Sequence, residues 1–187
     1  MLKAKLATCA FVAFAALAPQ LRAEEAAHGG YEELGKSRDW TAIRFKSPSG
    51  DGSMACAIFS RPKASRVIEG NAEVEALRGE KAAFITWENG TTVSRGTGVA
   101  SFLMGAPVVP KDAGHNLRID ADEAFDLYGF EDRVYTREVD DHGVIGAIRG
   151  GVGMTVRVKI SDVRLAEDSY SLYGVQSATA MAARACN

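Results

Sequence analysis

The segment Met154-Thr-Val-Arg-Val-Lys-Ile160 alternates apolar and polar residues without a break. Successive side chains of a strand point to opposite faces, so Met154, Val156, Val158 and Ile160 share one face and Thr155, Arg157 and Lys159 the other. A strand with one apolar and one charged face fits an antiparallel sheet that lies against a core on one side.

Other segments carry the same signal more weakly. Trp40, Ile43 and Phe45 sit among β-formers, and Met54-Ala-Cys-Ala-Ile-Phe59 reads as a buried strand. The turn-rich Ser47–Gly52 run between them predicts a hairpin. Lys81–Glu88 reads as a strand closed by the Asn89-Gly90 turn, and Thr91–Leu103 as its continuation. Pro110–Gly114 reads as a loop. Asn116–Asp120 and the Phe125, Leu127, Phe130 series alternate as half-buried strands, with a turn over Asp120–Glu123. Ser169–Val175 is the last expected strand. Glu69–Leu77 has some helical composition, interrupted by Gly70 and followed by Gly79.

Two helices are expected. Val139, Ile145 and Ile148 lie near helical spacing over Glu138–Arg149, with Asp140 or Asp141 as N-cap and Gly150-Gly151 as the stop. Ser177–Arg184 is Ala-rich, with Ala178, Met181, Ala182 and Ala185 on one face. Many short strands, glycine-rich turns and two short helices predict a mainly β fold, an antiparallel β-sandwich or flattened barrel.

The N-terminus reads in three zones. Lys3 and Lys5 precede an apolar stretch from Leu6 to Leu17, and Leu21-Arg22-Ala23 places a small residue at a cleavage position. That order is the signature of a secretory signal peptide over residues 1–23. The apolar run is roughly 12 residues, short of the ~20 that a membrane span needs. Residues 24–37 read as a mobile arm, and residues 38–187 as one β-rich domain. The 164 of 187 residues after the leader carry 19 basic and 24 acidic side chains, a formal charge of −5. A mildly acidic chain without basic clusters argues against nucleic acid and anionic membranes as partners.

Export also decides the reading of the cysteines. Cys9 leaves with the leader, and Cys56 and Cys186 remain. Two thiols in an oxidising compartment usually pair, the alternative being two free buried thiols. A Cys56–Cys186 bond would tie the terminal helix to an early strand, provided the Cα atoms approach to about 4.4–6.8 Å.

Constellations with chemical meaning are few. His28, His115 and His142 lack the convergence that a metal site needs and read as surface histidines. Asp120, Asp122, Glu123 and Asp126, with Asn116 nearby, could offer oxygen ligands to calcium, but without the pattern of an EF-hand loop they read as a solvated turn. Asp140, Asp141, His142, Ser161 and Ser171 would make a hydrolase site only if the fold brought them together. Gly96-Thr-Gly98 and Gly150-Gly-Val-Gly153 read as turns or bulges, not phosphate loops. No cofactor is implied. Tyr128, Phe130, Arg133, Tyr135 and Arg137 crowd into ten residues, a composition favoured at binding hot spots.

The C-terminus, Asp168-Ser-Tyr-Ser-Leu-Tyr-Gly174 followed by Val175-Gln-Ser-Ala178 and a short helix ending at Cys186, resembles the close of the invasion-associated locus B family. The Asp141–Gly151 segment before the Met154 strand, Arg38-Asp-Trp40, Cys56-Ala57 with Pro62, and Asn116–Leu127 resemble that family as well. The likeness runs from about Asp39 to Cys186 and departs at Tyr135, where the family commonly has a Trp nearby, and at Ser161–Leu165. It implies an exported bacterial protein, periplasmic or envelope-associated, linked in some pathogenic relatives to host-cell entry, with no enzyme activity to carry over. The expectation is therefore a non-enzymatic module that binds an envelope or host protein or glycan. The alternatives are a small exported hydrolase and an envelope-stability protein.

Overall fold

The computed structural model describes residues 30–47, 52–87, 98–120 and 123–186. The expected signal peptide, the Asn89-Gly90 turn, His28, and Asp122 of the acidic cluster lie outside the described residues.

Among the described residues twelve strands form one antiparallel sheet: β1 (Glu32–Ser37), β2 (Trp40–Lys46), β3 (Met54–Ser60), β4 (Ala64–Glu69), β5 (Ala72–Val74), β6 (Ala82–Trp87), β7 (Val99–Leu103), β8 (Lys111–Ile119), β9 (Glu123–Phe130), β10 (Arg133–Thr136), β11 (Gly153–Lys159) and β12 (Arg164–Ser171). Their spatial order is β1-β2-β3-β6-β7-β10-β9-β8-β11-β12-β4-β5. The helices are α1 (Asp141–Gly150) and α2 (Val175–Cys186), and no helix among the described residues is long and apolar enough to cross a membrane.

The sheet rolls onto itself. In a flat sheet β2 and β12, eight strand steps apart, would be separated by about 38 Å. Instead the Trp40 indole Nε1 donates to the Ser171 carbonyl at 2.9 Å and the Asp39 N–H to that of Tyr173 at 3.3 Å. Phe102 on β7 and Tyr170 on β12, five steps apart, bring their ring centroids to 6.3 Å. One face of most strands therefore turns into a shared core. Ile58, Ile85, Phe102, Val134, Leu117, Val156 and Tyr170 fill it, and the buried faces of both helices add Val144, Ile145, Ile148, Ala178 and Ala182.

The β11 alternation holds as read: Met154, Val156 and Val158 are buried, and Arg157 and Lys159 are exposed. The Cys56–Cys186 disulfide is present, with Cα atoms 6.4 Å apart across 130 residues. The run from Asp168 to Gly174 has a structural role at every second position. Asp168 is buried in an ion pair, Tyr170 and Leu172 enter the core, and Gly174 turns the chain into α2 at φ +99°. A Cβ on Gly174 would sit 2.0 Å from the Ser37 carbonyl oxygen.

Several expectations need correction. Residues 32–37, read as part of an arm, pair with β2 as an edge strand. Their polar sequence hides this, because only Leu34 packs on the core, and Gly35 at φ +146° lets Met181 of α2 approach. The ambiguous stretch before residue 81 holds no helix; β4 and β5 form a hairpin turned at Gly70, φ +62°. β8 begins at Lys111, inside the expected loop, with its register shifted between Lys111 and His115. Helix α1 has no side-chain cap: Asp140 makes no capping bond, and the Asp141 carboxylate accepts instead from the Thr136 hydroxyl. β12 starts at Arg164, earlier than expected, because inward Asp168 interrupts the apolar alternation.

Candidate functional site

The β9–β10 hairpin turns at Glu131, φ +54°, and its register sets Phe130 opposite Arg133 and Tyr128 opposite Tyr135. Leu127, Gly129, Val134 and Thr136 point inward, so the four paired side chains stand on the outer face. Tyr128 and Tyr135 stack with centroids 5.3 Å apart. Burial pushes the Tyr135 phenol above its ordinary value, with Arg133 opposing the shift. Phe130 remains 59% exposed and Tyr128 40%.

The patch extends beyond these residues. Across the sheet, Tyr135 faces Ser101 on β7, Ser101 faces Phe84 on β6, and Phe84 faces Phe59 on β3. The Arg133 guanidinium lies 5.3 Å from the Phe84 centroid, Phe84 lies 5.9 Å from Phe59, and Tyr31 caps the row edge-on at 6.5 Å. Cross-strand aromatic pairs of this kind stabilise a sheet, and an arginine over a ring face adds a cation–π contact. Arg137 lies past the end of β10, where its carbonyl accepts the Asp140 N–H at the entry to α1.

The rest of the outer face is different in kind. Asp126, Asn116, Arg157, Glu167 and Arg66 follow one another across β9, β8, β11, β12 and β4. Glu167 accepts from both Arg66 and Arg157. One sheet thus shows water a charged ladder on one half and an aromatic row on the other.

The side chains weighed for catalysis are not assembled. His142 is exposed on α1. The Ser161 hydroxyl accepts the Val163 and Arg164 N–H groups in the β11–β12 turn, and the Ser171 hydroxyl accepts the Tyr173 N–H. Burial raises the Asp141 carboxyl above its ordinary value, with the Thr136 hydrogen bond opposing. Among the described residues no hydrogen bond joins these groups into a nucleophile–base pair, and no three His, Cys, Asp or Glu side chains gather as metal ligands. Asp120, at φ +49°, gives its carboxylate to the Val152 and Gly153 N–H groups, which makes it a clamp between β8 and β11. The same contacts occupy Gly150–Gly153 as a helix exit and strand start.

His115 is the clearest departure from expectation. It is 1% exposed, on the inner face of β8. Its Nε2 lies 2.7 Å from the Val109 carbonyl, and its Nδ1 accepts the Lys159 N–H at 3.2 Å. A carbonyl only accepts and an amide N–H only donates, so the tautomer is Nε2–H. The Val109 N–H also donates to the Lys159 carbonyl at 2.9 Å. The imidazole therefore stands in for the second bond of a two-bond strand bridge. The sequence did carry a sign of this, since His115 continues the inward series of Leu117 and Ile119. Phe59 and Phe84 were also missed as members of the aromatic row, because their partners are distant in sequence.

No protein-family model, curated protein or solved structure matches this chain.

Proposed function

We propose that this chain is an exported, non-enzymatic envelope protein of the invasion-associated locus B type, which binds a protein or glycan of the envelope or of a host through the outer face of β3, β6, β7, β10 and β9. The observation that carries this reading is the division of the outer face. Both halves belong to one sheet and cover one core, yet only one is built from Phe59, Phe84, Tyr128, Phe130, Arg133 and Tyr135. Solvation alone is served by the charged ladder. Aromatic side chains and arginine are the residues that concentrate binding energy at interfaces.

The test is comparative. Capture from envelope extracts is run with the native chain, with Phe130→Ser/Arg133→Glu in the aromatic half, and with Arg157→Ala in the charged half. Loss of the captured partner only in the aromatic-half variant, with circular dichroism unchanged, supports the reading. Equal capture by all three refutes it. Fractionation of the producing bacterium, with mass spectrometry of the N-terminus, tests export and cleavage after Ala23.

A further inference from the structure

The outer face of β3, β6, β7, β10 and β9 spans four strand steps, about 19 Å, which an extended chain crosses in about six residues. How its rings are turned decides what can lie on it. Tyr135 stacks on Tyr128 with 21° between the planes, and Phe84 and Phe59 are tilted by 30°. Phe84 also carries the Arg133 guanidinium over its ring. These ring faces are engaged by one another, so the row offers edges to a partner. An aromatic ring is negative over its face and positive at its edge. Sugar rings stack their C–H groups on open aromatic faces. The arrangement therefore disfavours a glycan and favours a partner that brings oxygen acceptors and apolar side chains.

Arg133 fixes the charge of that partner. In the charged half of the sheet, Arg66 and Arg157 are both bonded to Glu167. Arg133 is half-buried, and among the described residues no carboxylate or other hydrogen-bond acceptor engages its guanidinium. An arginine already ordered over a ring loses little further freedom on meeting a carboxylate, and its planar fork takes one in two parallel bonds. The neighbouring turn limits how much acid the face accepts. Glu131 and Asp132 are exposed immediately before Arg133, so a run of acidic residues would meet like charge. One carboxylate with apolar neighbours fits.

We propose that the aromatic row docks an extended segment of a partner protein, in which one Asp or Glu side chain bonds Arg133 and the apolar residues beside it pack on Phe84, Tyr135 and Phe130. The proposal rests on the reading of this face as the binding surface and narrows its partner to a peptide.

The test uses random peptides of about 12 residues, twice the span of the row, displayed on phage and selected against the folded, disulfide-bonded chain. Enriched peptides are measured by fluorescence anisotropy. They are expected to share one Asp or Glu beside an aromatic or aliphatic residue. Changing that acid to its amide weakens binding by about fivefold, the upper end for an exposed charge pair. Arg133→Gln weakens it equally, and the two changes together add no further loss. Arg157→Ala leaves it unchanged. Maltohexaose and chitohexaose, as neutral glycan probes, do not displace the peptide. Enriched peptides without an acid, affinity indifferent to Arg133→Gln, no enrichment at all, or displacement by either glycan overturns the proposal. If envelope capture is then still lost in Phe130→Ser/Arg133→Glu, the face remains a binding surface and only the acidic segment is withdrawn. If capture is also indifferent to that variant, the reading of the face falls with it.

Discussion

Replacing His115 with alanine removes a side chain that satisfies two backbone groups in different strands. The Val109 carbonyl and the Lys159 N–H each lose the partner that His115 supplies at 2.7 and 3.2 Å. A fully buried backbone group left unpaired costs about 1–3 kcal/mol; Val109 is half-buried and Lys159 exposed, so the two together cost up to roughly 2–6 kcal/mol before any cavity is counted. Against a total stability of about 5–15 kcal/mol for a domain, that is a large fraction. Urea unfolding followed by tryptophan fluorescence is the assay, since Trp40 and Trp87 are both buried in the core. The midpoint is expected to fall with the slope unchanged. Gly129 refines the test. A Cβ there would lie 2.6 Å from the Val109 oxygen and 2.8 Å from His115 Nε2. Val108 Cγ2 would lie at 2.9 Å as well, so Gly129→Ala is costly alone and should cost less in the His115→Ala background, where one of the three clashes is gone. A loss below about 1 kcal/mol for His115→Ala would refute the reasoning, because the strands would then be closing the bridge without the imidazole.

Three further outcomes are expected. Cys186→Ser opens a bond spanning 130 residues and removes up to about 5 kcal/mol by chain-entropy reasoning; hydrogen exchange should rise first in α2, whose 12 residues are marginal as an isolated helix. The Lys63 ammonium, and then the Ser171 hydroxyl, hold the Asp39 carboxyl below its usual value of 3.8, so its stabilisation is complete above that value and fades as pH falls through the depressed one. Asp39→Asn should accordingly melt lower than the native chain at neutral pH, and the two melting temperatures should converge as the pH falls through the depressed Asp39 value. Gly174→Ala forces a Cβ to within 2.0 Å of the Ser37 carbonyl at φ +99°, and thermal melting should show it more damaging than Gly70→Ala, where φ is +62° and nothing lies within 4 Å.

Legibility in the sequence followed burial. β11 could be read because it lies in the interior of the sheet with one face on the core and one in water, which writes a period of two into the residues. β1 could not, because an edge strand that touches the core through Leu34 carries almost no such period. β12 was half-read because Asp168 occupies an inward position where an apolar residue would mark the strand, and its partner Arg78 lies 90 residues earlier. The aromatic cluster of β9 and β10 was visible, since a hairpin brings sequence neighbours together. Its extension to Phe84 and Phe59 was not, since that depends on the order in which β10, β7, β6 and β3 pair.

The rolled sheet is closed by side-chain and loop contacts between its second and tenth strands, and those contacts have a temporal meaning. Trp40 reaches Ser171 over 131 residues, and Cys56 reaches Cys186 over 130. Neither can form until nearly the whole chain is available. Folding dominated by such distant pairings is slow, in the range of milliseconds to seconds, because the loop must close before the contact rewards it. Hairpins such as β2–β3 and β9–β10 are local and can assemble early, whereas the β2–β12 seam must come last. For that interval the apolar strands lie open to water and to one another. The seam is thus the step at which the chain is most exposed to aggregation, and chaperones or low concentration should matter most there.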